Sequence, residues 1–328
     1  MKLEFASAGD CHGETGKFVR FMNDCAAEPK LSLLVAAGDY QFNPTKDRPE
    51  AAKNVAEVFE VLAKWPSRVL VLGGNYEQPG LSAEVASRFG LSIFPIGSKP
   101  EPLGGRFPGN HFVHEGFHFL GVEGSNPING RFPGERSEEE LEWALSQAAR
   151  EAGDIDPKRM VLVTHAPPYR SGSRDELGAF GLPITYKGKH VGSAALARFL
   201  LDRKPILHVC GHVHEGVGLT VYHWQRQQAE NPRIEDVRTV GLERIVVFFA
   251  KRDDNKMSIC CNHGTLEQWT YFRYRIAETD VCMAVEVSKQ RLGGKDSLSR
   301  FIDRVRGRKA VSYSKIVDPD GLTAQSGI

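Results

Sequence analysis

The stretch LEFASAGDCHGE at residues 3–14 joins a largely apolar run to residues of the kinds that hold metal ions. Residues 3–8 have the length and composition of a β-strand. A glycine on either side of Asp10 and His12 lets the backbone turn tightly and approach a ligand closely. The stretch therefore predicts a strand whose carboxyl end presents a carboxylate and an imidazole.

The same arrangement recurs at four further apolar runs along the chain. These predicted strands are residues 33–37, 69–72, 160–164 and 206–210. The ligand-type residues that follow them are Asp39, Asn75, His165, His212 and His214. Ligands of open α/β sheets bind beyond the carboxyl ends of the strands, so we expect these side chains to converge on one site. A single Asp or His is more commonly a turn former or a packed side chain, but that explanation would have to hold separately at five successive strand ends.

The predicted ligands combine carboxylate, carboxamide and imidazole groups. Such a mixture suits borderline divalent metals, namely manganese, iron or zinc. Seven ligands are too many for one tetrahedral zinc ion, and they are about right for two ions that share a carboxylate. Two ions about 4 Å apart can clamp a phosphate and acidify a bridging water to hydroxide for in-line attack. The sequence therefore predicts a two-metal hydrolase of phosphoester bonds.

Amphipathic segments alternate with the predicted strands. The expected helices are residues 14–28, a segment that begins near residue 49, residues 138–152 and residues 193–202. Ser137 and Glu140 have the spacing of a capping box at the start of the third helix. This alternation predicts an α/β fold in which helices pack on sheet in two or three layers.

Composition limits the class of protein and its partners. The chain of 328 residues is 41% hydrophobic and carries a formal net charge of +1, which excludes a strong overall field toward nucleic acid or membranes. The six cysteines form no CxxC pair and predict neither a zinc knuckle nor a disulfide framework. Residues 1–5 lack the apolar run of a signal peptide, and no later stretch is apolar enough to span a bilayer. We therefore expect a cytoplasmic protein without a membrane partner.

The domain prediction follows from the positions of the motifs. We expect a catalytic domain over residues 1–288, with its core motifs within 1–265 and a polar excursion at 224–243. Residues 289–328 are expected to form a basic C-terminal extension, because residues 289–309 carry eight basic and two acidic side chains. That extension could contact a nucleic acid backbone. A solvated tail, or an amphipathic helix docked on the body, is the alternative.

The motifs, in this order, resemble those of the calcineurin-like metallophosphoesterases over residues 1–265. They are Asp10-x-His12, Gly38-Asp39, Gly74-Asn75-x-Glu77, His165 and Gly211-His212-x-His214. The resemblance implies two β-sheets packed as a sandwich and flanked by helices, with a dimetal site at the carboxyl ends of strands. It also implies that one metal is held by Asp10, His12 and His214, the other by Asn75, His165 and His212, and that Asp39 bridges both. Asp39, Asn75, His165 and Tyr76 are the candidate catalytic residues.

Tyr76 departs from the family pattern. The family motif has a histidine here, to which protonation of the leaving group is assigned, and a tyrosine with a pKa of about 10 is a poorer proton donor near neutrality. We therefore expect weak activity on poor leaving groups. Alternatively Tyr76 only packs beside the metals, and His263 or a metal-bound water supplies the proton. His263 stands in an Asn-His-Gly-Thr string that resembles the family's Asn-Pro-Gly-Ser turn.

Three functions remain open at this point. A phosphodiesterase is favoured, because diester hydrolysis at two metals depends less on a single acid. A nuclease or debranching-type enzyme is the second, since the opening Gly-Asp-Cys-His-Gly-Glu looks like that of lariat debranching enzymes. A metal-binding scaffold for protein interaction is the third. The pentapeptide Gly-Arg-Phe-Pro-Gly occurs at both 105–109 and 130–134, and the sequence predicts no role for it.

Overall fold

The computed structural model describes most of the chain up to residue 291. The described residues are 2–26, 31–99, 101–127, 130–169, 185–186, 189–190, 192–214, 218–224, 234–239, 244–250, 257–263, 266, 270–278 and 282–291. Predictions made for residues 292–328 lie outside them. All structural statements below concern the described residues.

Short apolar runs form the strands and amphipathic segments form the helices. The strands are β1 Lys2–Ala8, β2 Leu33–Ala37, β3 Arg68–Leu72, β4 Ile93–Pro95, β5 Asn110–His114, β6 Phe117–Val122, β7 Met160–Thr164, β8 Thr185–Tyr186, β9 Lys189–His190, β10 Leu207–Cys210, β11 Gly218–Trp224, β12 Ile234–Thr239, β13 Arg244–Ala250, β14 Met257–Asn262, β15 Thr270–Glu278 and β16 Cys282–Arg291. The helices are α1 Thr15–Ala26, α2 Arg48–Leu62, α3 Leu81–Ala86, α4 Glu138–Ala152 and α5 Ala194–Arg203. The predicted capping box at the start of α4 is confirmed: the Ser137 hydroxyl accepts from Glu140 N–H, and the Glu140 carboxylate accepts from Ser137 N–H.

Two seven-stranded mixed sheets carry the fold. The first has the order β13-β16-β15-β1-β2-β3-β4 and the second has the order β12-β11-β14-β10-β7-β6-β5. β1 to β4 are parallel to one another, and so are β6, β7, β10 and β14. The carboxyl ends of β1, β2 and β3 therefore meet at one edge of the first sheet, and those of β7 and β10 meet at one edge of the second.

Alternating side chains divide the interior into three cores. Leu33 and Val35 of β2 point between the two sheets, whereas Leu34 and Ala36 point to the helices on the first sheet. A third core packs α4 and α5 on the second sheet. The implied four-layer sandwich is thus confirmed. The alternation of elements alone underestimated the number of layers, because it does not show how strands divide between sheets.

Aromatic packing fixes the two sheets against each other. The ring of Phe5 on β1 is stacked on Tyr274 of β15, with centroids 4.4 Å apart, and meets Phe119 of β6 edge-on at 5.5 Å. Such pairs contribute about 0.5–1.5 kcal/mol each beyond the area they bury. Phe5 and Tyr274 both belong to the first sheet, and the Phe5–Phe119 contact joins that sheet to the second.

The structure corrects two predicted boundaries. The domain end at residue 288 falls inside β16, which pairs with β15 up to Arg291, so 289–291 belong to the first sheet. The polar excursion expected at 224–243 contains a strand, because 234–239 form β12 beside β11.

No helix within the described part of the chain is long and apolar enough to cross a bilayer. The cytoplasmic location stays a prediction.

Candidate metal centre

The loops after β1 and β2 pair with each other beyond the ends of their strands. Asp10 N–H donates to Gly38 O at 2.9 Å, and His12 N–H donates to Asp39 O at 3.0 Å. Asp10, His12 and Asp39 have φ angles of 52°, 47° and 51°, and His212 after β10 has 68°. Such a backbone costs about 1–3 kcal/mol for each non-glycine residue. The paired loops therefore hold ligand-type residues in strained conformations, a feature of functional sites.

Asp10, His12 and His214 form the first group of ligand-type side chains. One atom from each lies within 4.8 Å of the other two. His214 Nε2 is 3.3 Å from Asp10 Oδ1 and 3.5 Å from His12 Nε2. The Asp10 side chain is fully buried, whereas the His214 side chain is 30% exposed. Solvent therefore reaches this group from the His214 side.

Asp39, His165 and His212 form the second group, again with one atom from each within 4.8 Å of the others. His165 Nε2 lies 3.4 Å from Asp39 Oδ2 and 2.9 Å from Asn75 Oδ1. His165 Nδ1 donates to the Ala37 carbonyl at 2.8 Å, which leaves Nε2 to face the two oxygens. Asn75 thereby joins the second group.

The two groups adjoin, so all seven predicted ligands come together. The His212 N–H lies 3.4 Å from Asp10 Oδ2, and the rings of His165 and His212 are 4.9 Å apart. Asp39 lies with the second group. Its role as the bridge between two ions stays a prediction.

Carboxylates and imidazoles in the centre stabilise each other's charges. Burial opposes a charge on Asp10, but the neighbouring imidazoles, His165 above all, hold its pKa well below the usual range. Burial favours neutral His165, yet Asp39 and then Asp10 raise the pKa of His165 to about 10. His165 is therefore protonated on Nε2 as well as on Nδ1 when no cation is bound, and a divalent ion must displace the proton on Nε2.

A buried nitrogen atom in the second group indicates that a cation fits. His212 Nε2 is inaccessible to solvent and has no hydrogen-bond partner among the described residues. Burial and then His165 lower the pKa of His212 to about 4, so this imidazole is neutral and keeps a lone pair. An unpartnered buried polar atom costs free energy, and metal coordination would remove that cost. The donor set of imidazoles, carboxylates and a carboxamide fits divalent manganese, iron or zinc.

Glu77 holds the metal-site loops together, a role that the motif did not reveal. Its carboxylate accepts short hydrogen bonds of 2.8–3.0 Å from three backbone N–H groups, those of Asp39, Tyr40 and Gly74, and a longer one of 3.3 Å from Gln41 N–H. The residue is 1% exposed. Burial and the Asp39 charge raise the pKa of Glu77 to about 7, and the bond from Gly74 opposes that rise. Glu77 thus ties the loop after β3 to the loop after β2.

Replacing Glu77 with alanine is expected to destabilise the metal-free protein by at least about 3 kcal/mol. The change leaves three buried N–H groups without an acceptor, at about 1–3 kcal/mol each. Urea unfolding in the presence of a chelator measures the effect. Glu57→Ala, on the exposed side of α2, is the matched control. Equal unfolding free energies for the two variants would refute this role.

Glycines allow the close approaches in the site. A Cβ at Gly74 would overlap the Asp39 carboxylate, and one at Gly211 would lie 2.6 Å from Asp10 Oδ2. No side chain fits at either position without displacing a predicted ligand. The close backbone approach predicted from the glycines is therefore present at both loops.

Tyr76 borders the centre, whereas His263 lies behind it. The Tyr76 ring centroid is 4.9 Å from that of His12, and the Tyr76 side chain is half-buried. His263 is fully buried, with Nε2 3.8 Å from Asp10 Oδ2. Burial lowers the pKa of His263 to about 4. This burial argues against proton donation from His263 to a substrate.

A third group of ligand-type residues belongs to the core under α4 and α5. His208, Cys210 and Cys260 each offer one atom within 4.8 Å of the others. The Thr164 hydroxyl donates to Ala166 O at 2.6 Å and therefore accepts from His208 Nε2–H at 2.8 Å. His208 Nδ1 then faces Cys260 Sγ at 3.3 Å. These contacts satisfy the imidazole without an ion, so we assign the group to packing.

Fold and site together define a class of protein. A sandwich of two mixed sheets with helices outside, and two adjoining groups of metal-ligand residues at strand ends, is the framework of a dimetal hydrolase. Residues 3–216 match the model of the calcineurin-like phosphoesterase family. That match covers more than half of the chain, and the protein belongs to this family. Membership implies metal-dependent hydrolysis of phosphoesters.

Two solved structures share the fold at low sequence identity. One crystal structure has a TM-score of 0.57 at 13% identity, over 89% of this chain and 100% of that chain. The protein TT1561 of Thermus thermophilus has a TM-score of 0.51 at 13% identity, over 83% and 94% of the two chains. A dimetal phosphatase from Danio rerio has a TM-score of 0.45 at 11% identity, over 88% and 98%. No curated protein matches the sequence.

Proposed function

We propose that this protein hydrolyses phosphodiesters at a centre of two divalent metal ions. The observation that carries the proposal is the assembly of all seven ligand-type residues at neighbouring strand ends of two sheets. Family membership supports the reaction class. Tyr76, which stands where the family motif has histidine, supports the preference for diesters.

Two divalent ions, when bound, polarise a phosphoryl group and lower the pKa of water at the site. The residues proposed to hold them are Asp10, His12 and His214 for one ion, Asn75, His165 and His212 for the other, and Asp39 for both. The bond from His165 Nδ1 to Ala37 O orients this imidazole before any ion binds. The proposal gives Tyr76, whose ring lies beside that of His12, the role of donating a hydrogen bond to the departing oxygen.

The preference for diesters follows from the chemistry of the departing group. A phenol with a pKa near 10 is a weak general acid at neutral pH, so it adds less than an imidazolium would. Hydrolysis of a diester with a good leaving group depends mainly on the metals. We therefore expect the protein to favour such diesters over alkyl monoesters.

An activity screen of the manganese-loaded protein tests the proposal. Diesters and monoesters of nitrophenol, phenol and simple alcohols should be compared at equal concentration, with His165→Ala as the inactive control. We expect turnover of nitrophenyl diesters above all others. Two bound ions without turnover of any ester would overturn the proposal and favour a metal-binding scaffold.

Nucleic acid is a second candidate substrate, and the charge of residues 289–309 favours it. Removing residues 292–328 spares β16 and should weaken binding of RNA or DNA. It should also flatten the salt dependence, by about 0.7–0.9 in log–log slope for each phosphate that the shortened chain no longer neutralises. Fluorescence anisotropy between about 50 and about 200 mM salt measures both. If the full chain binds neither polymer at the lower salt, the basic segment has another role.

A further inference from the structure

Both copies of Gly-Arg-Phe-Pro-Gly contact the loop between β3 and α3. Phe107 of the first copy lies against Gly80, where a Cβ would overlap its ring. Phe132 of the second copy stacks on Tyr76, with centroids 5.2 Å apart and an interplanar angle of 17°. The repeat therefore places one phenylalanine at the end of this loop and the other at its middle. Only the second copy reaches the metal centre.

The second copy also fixes the main chain of Asn75, a predicted metal ligand. Gly134 N–H donates to Asn75 O at 2.9 Å. A Cβ at Gly134 would overlap the carbonyl oxygens of Glu77 and Gly74 and would lie 3.0 Å from Asn75 Cα. The backbone at Gly134 is thus in direct contact with the backbone at Gly74, Asn75 and Glu77.

The same segment links the two sheets at the site. It follows β6 of the second sheet, where Ser125 N–H donates to Gly134 O at 3.3 Å and Gly124 N–H donates to Gly73 O at 2.9 Å. Gly73 directly follows β3 of the first sheet. The segment therefore sets where Asn75, on the first sheet, stands relative to His165, on the second.

Tyr76 is held between two rings. Phe132 covers one side, and His12 of the first ligand group lies 4.9 Å away at an angle of 59°. Tyr76 N–H donates to Asp39 Oδ1 at 2.9 Å, which fixes the backbone at this position. Stacking on Phe132 restricts the side-chain torsions of Tyr76 and keeps its ring beside the centre.

We propose that the second Gly-Arg-Phe-Pro-Gly copy is a clamp on Asn75 and Tyr76, in which Gly134 positions the Asn75 backbone and Phe132 positions the Tyr76 ring. Phe132 is a positioning residue, because it acts through Tyr76. The part that concerns Tyr76 rests on the proposed phosphodiesterase function. The part that concerns Asn75 rests on metal binding alone.

The part of the proposal that concerns Phe132 and Tyr76, the Phe132 arm, is tested with phenyl diesters whose leaving groups span a range of pKa. Phe132→Leu should steepen the dependence of kcat on that pKa and lower kcat about 2- to 10-fold on the poorest leaving group, with KM unchanged. Phe132→Tyr, which keeps a stacking ring, should restore the wild-type slope. In a Tyr76→Phe background, Phe132→Leu should add nothing. Phe107→Leu is the matched control, since it is the equivalent half-buried residue of the other copy.

Any of three results would overturn the Phe132 arm. One is a Phe132→Leu slope equal to that of Phe107→Leu. A second is a full additional loss in the Tyr76→Phe background, because the effect would then not run through the tyrosine hydroxyl. A Tyr76→Phe variant with the wild-type slope would overturn it as well.

The part of the proposal that concerns Gly134 and Asn75, the Gly134 arm, is tested by calorimetric titration with manganese, which does not depend on turnover of any ester. Gly134→Ala should weaken binding of one ion about 5- to 150-fold, the effect of an overpacked contact of about 1–3 kcal/mol placed on Asn75. Gly109→Ala is the control from the first copy, where a Cβ would lie 2.6 Å from Ala144 O, away from the centre. Equal manganese affinities in these two variants would overturn the arm.

The two arms separate the clamp from the proposed function. If the wild type hydrolyses no ester, the phosphodiesterase proposal and the Phe132 arm fail together, and the titration alone decides the clamp on Asn75. If Gly134→Ala does not fold while Gly109→Ala does, Phe132→Leu replaces it in the titration. That variant removes the ring whose stacking on Tyr76, the residue next to Asn75, holds the second copy on this loop, and a manganese affinity equal to that of Phe107→Leu would then refute the clamp on Asn75.

Discussion

Replacing Asp39 with alanine is expected to release both metal ions, from two per chain to fewer than one. Asp39 lies with His165 and His212, and Asp10 is the other carboxylate in the two ligand groups. Without Asp39 the second group keeps only neutral donors and should lose its ion. The first group loses the carboxylate that it is proposed to share with the second, so its ion should be bound more weakly. Elemental analysis after dialysis against metal-free buffer measures the occupancy.

Asp39→Asn is the control that separates charge from shape. An asparagine retains an oxygen for the bond from Tyr76 N–H, which is 2.9 Å long, but carries no negative charge. We expect it to lose metal nearly as completely as the alanine variant, because charge dominates binding of a divalent ion. Asp47→Ala, at the N-cap of α2, should keep both ions. Loss of one ion only would place Asp39 in the second site and refute the bridge.

Local patterns in the sequence predicted the five strands that carry the ligands. Each is a short run of buried residues that stops at a glycine or a polar ligand type, so its position and its end are both visible. β15 and β16 were not predicted. β15 pairs with β1 across some 270 positions, with Phe5 opposite Tyr274, and the local sequence gives no indication of which strand is the partner.

The ligands themselves were predictable, but the groups that hold them were not. Asp10 and His12 show their chemistry through residue type and spacing, whereas their positive φ angles depend on bonds to the loop after β2. The interactions of Glu77 with three backbone N–H groups, and the position of Phe132 on Tyr76, likewise join segments distant in sequence. The type of a residue shows which ions or groups its side chain can bind. The contacts that hold that side chain in position are visible only in the folded structure.

Replacing Tyr76 with histidine is expected to raise activity most on the poorest leaving groups. General acid catalysis contributes about 100- to 10,000-fold, so a gain of up to about 100-fold on alkyl monoesters is reasonable for a donor restored at this place. Nitrophenyl diesters, whose leaving group needs little protonation, should change far less. Measuring kcat across esters of graded leaving-group pKa shows the difference as a shallower slope.

Tyr76→Phe tests the hydroxyl by itself, because it keeps the ring that stacks on Phe132 and lies beside His12. If the hydroxyl donates a hydrogen bond to the departing oxygen, its loss should steepen the slope and spare nitrophenyl diesters. If the ring only fills space beside the first ligand group, the slope should stay as it is. His263 is a weak alternative donor, because it is fully buried behind Asp10. Rates on alkyl monoesters that are high in the wild type and unchanged in both variants would show that Tyr76 merely packs, and that the preference for diesters inferred from it is wrong.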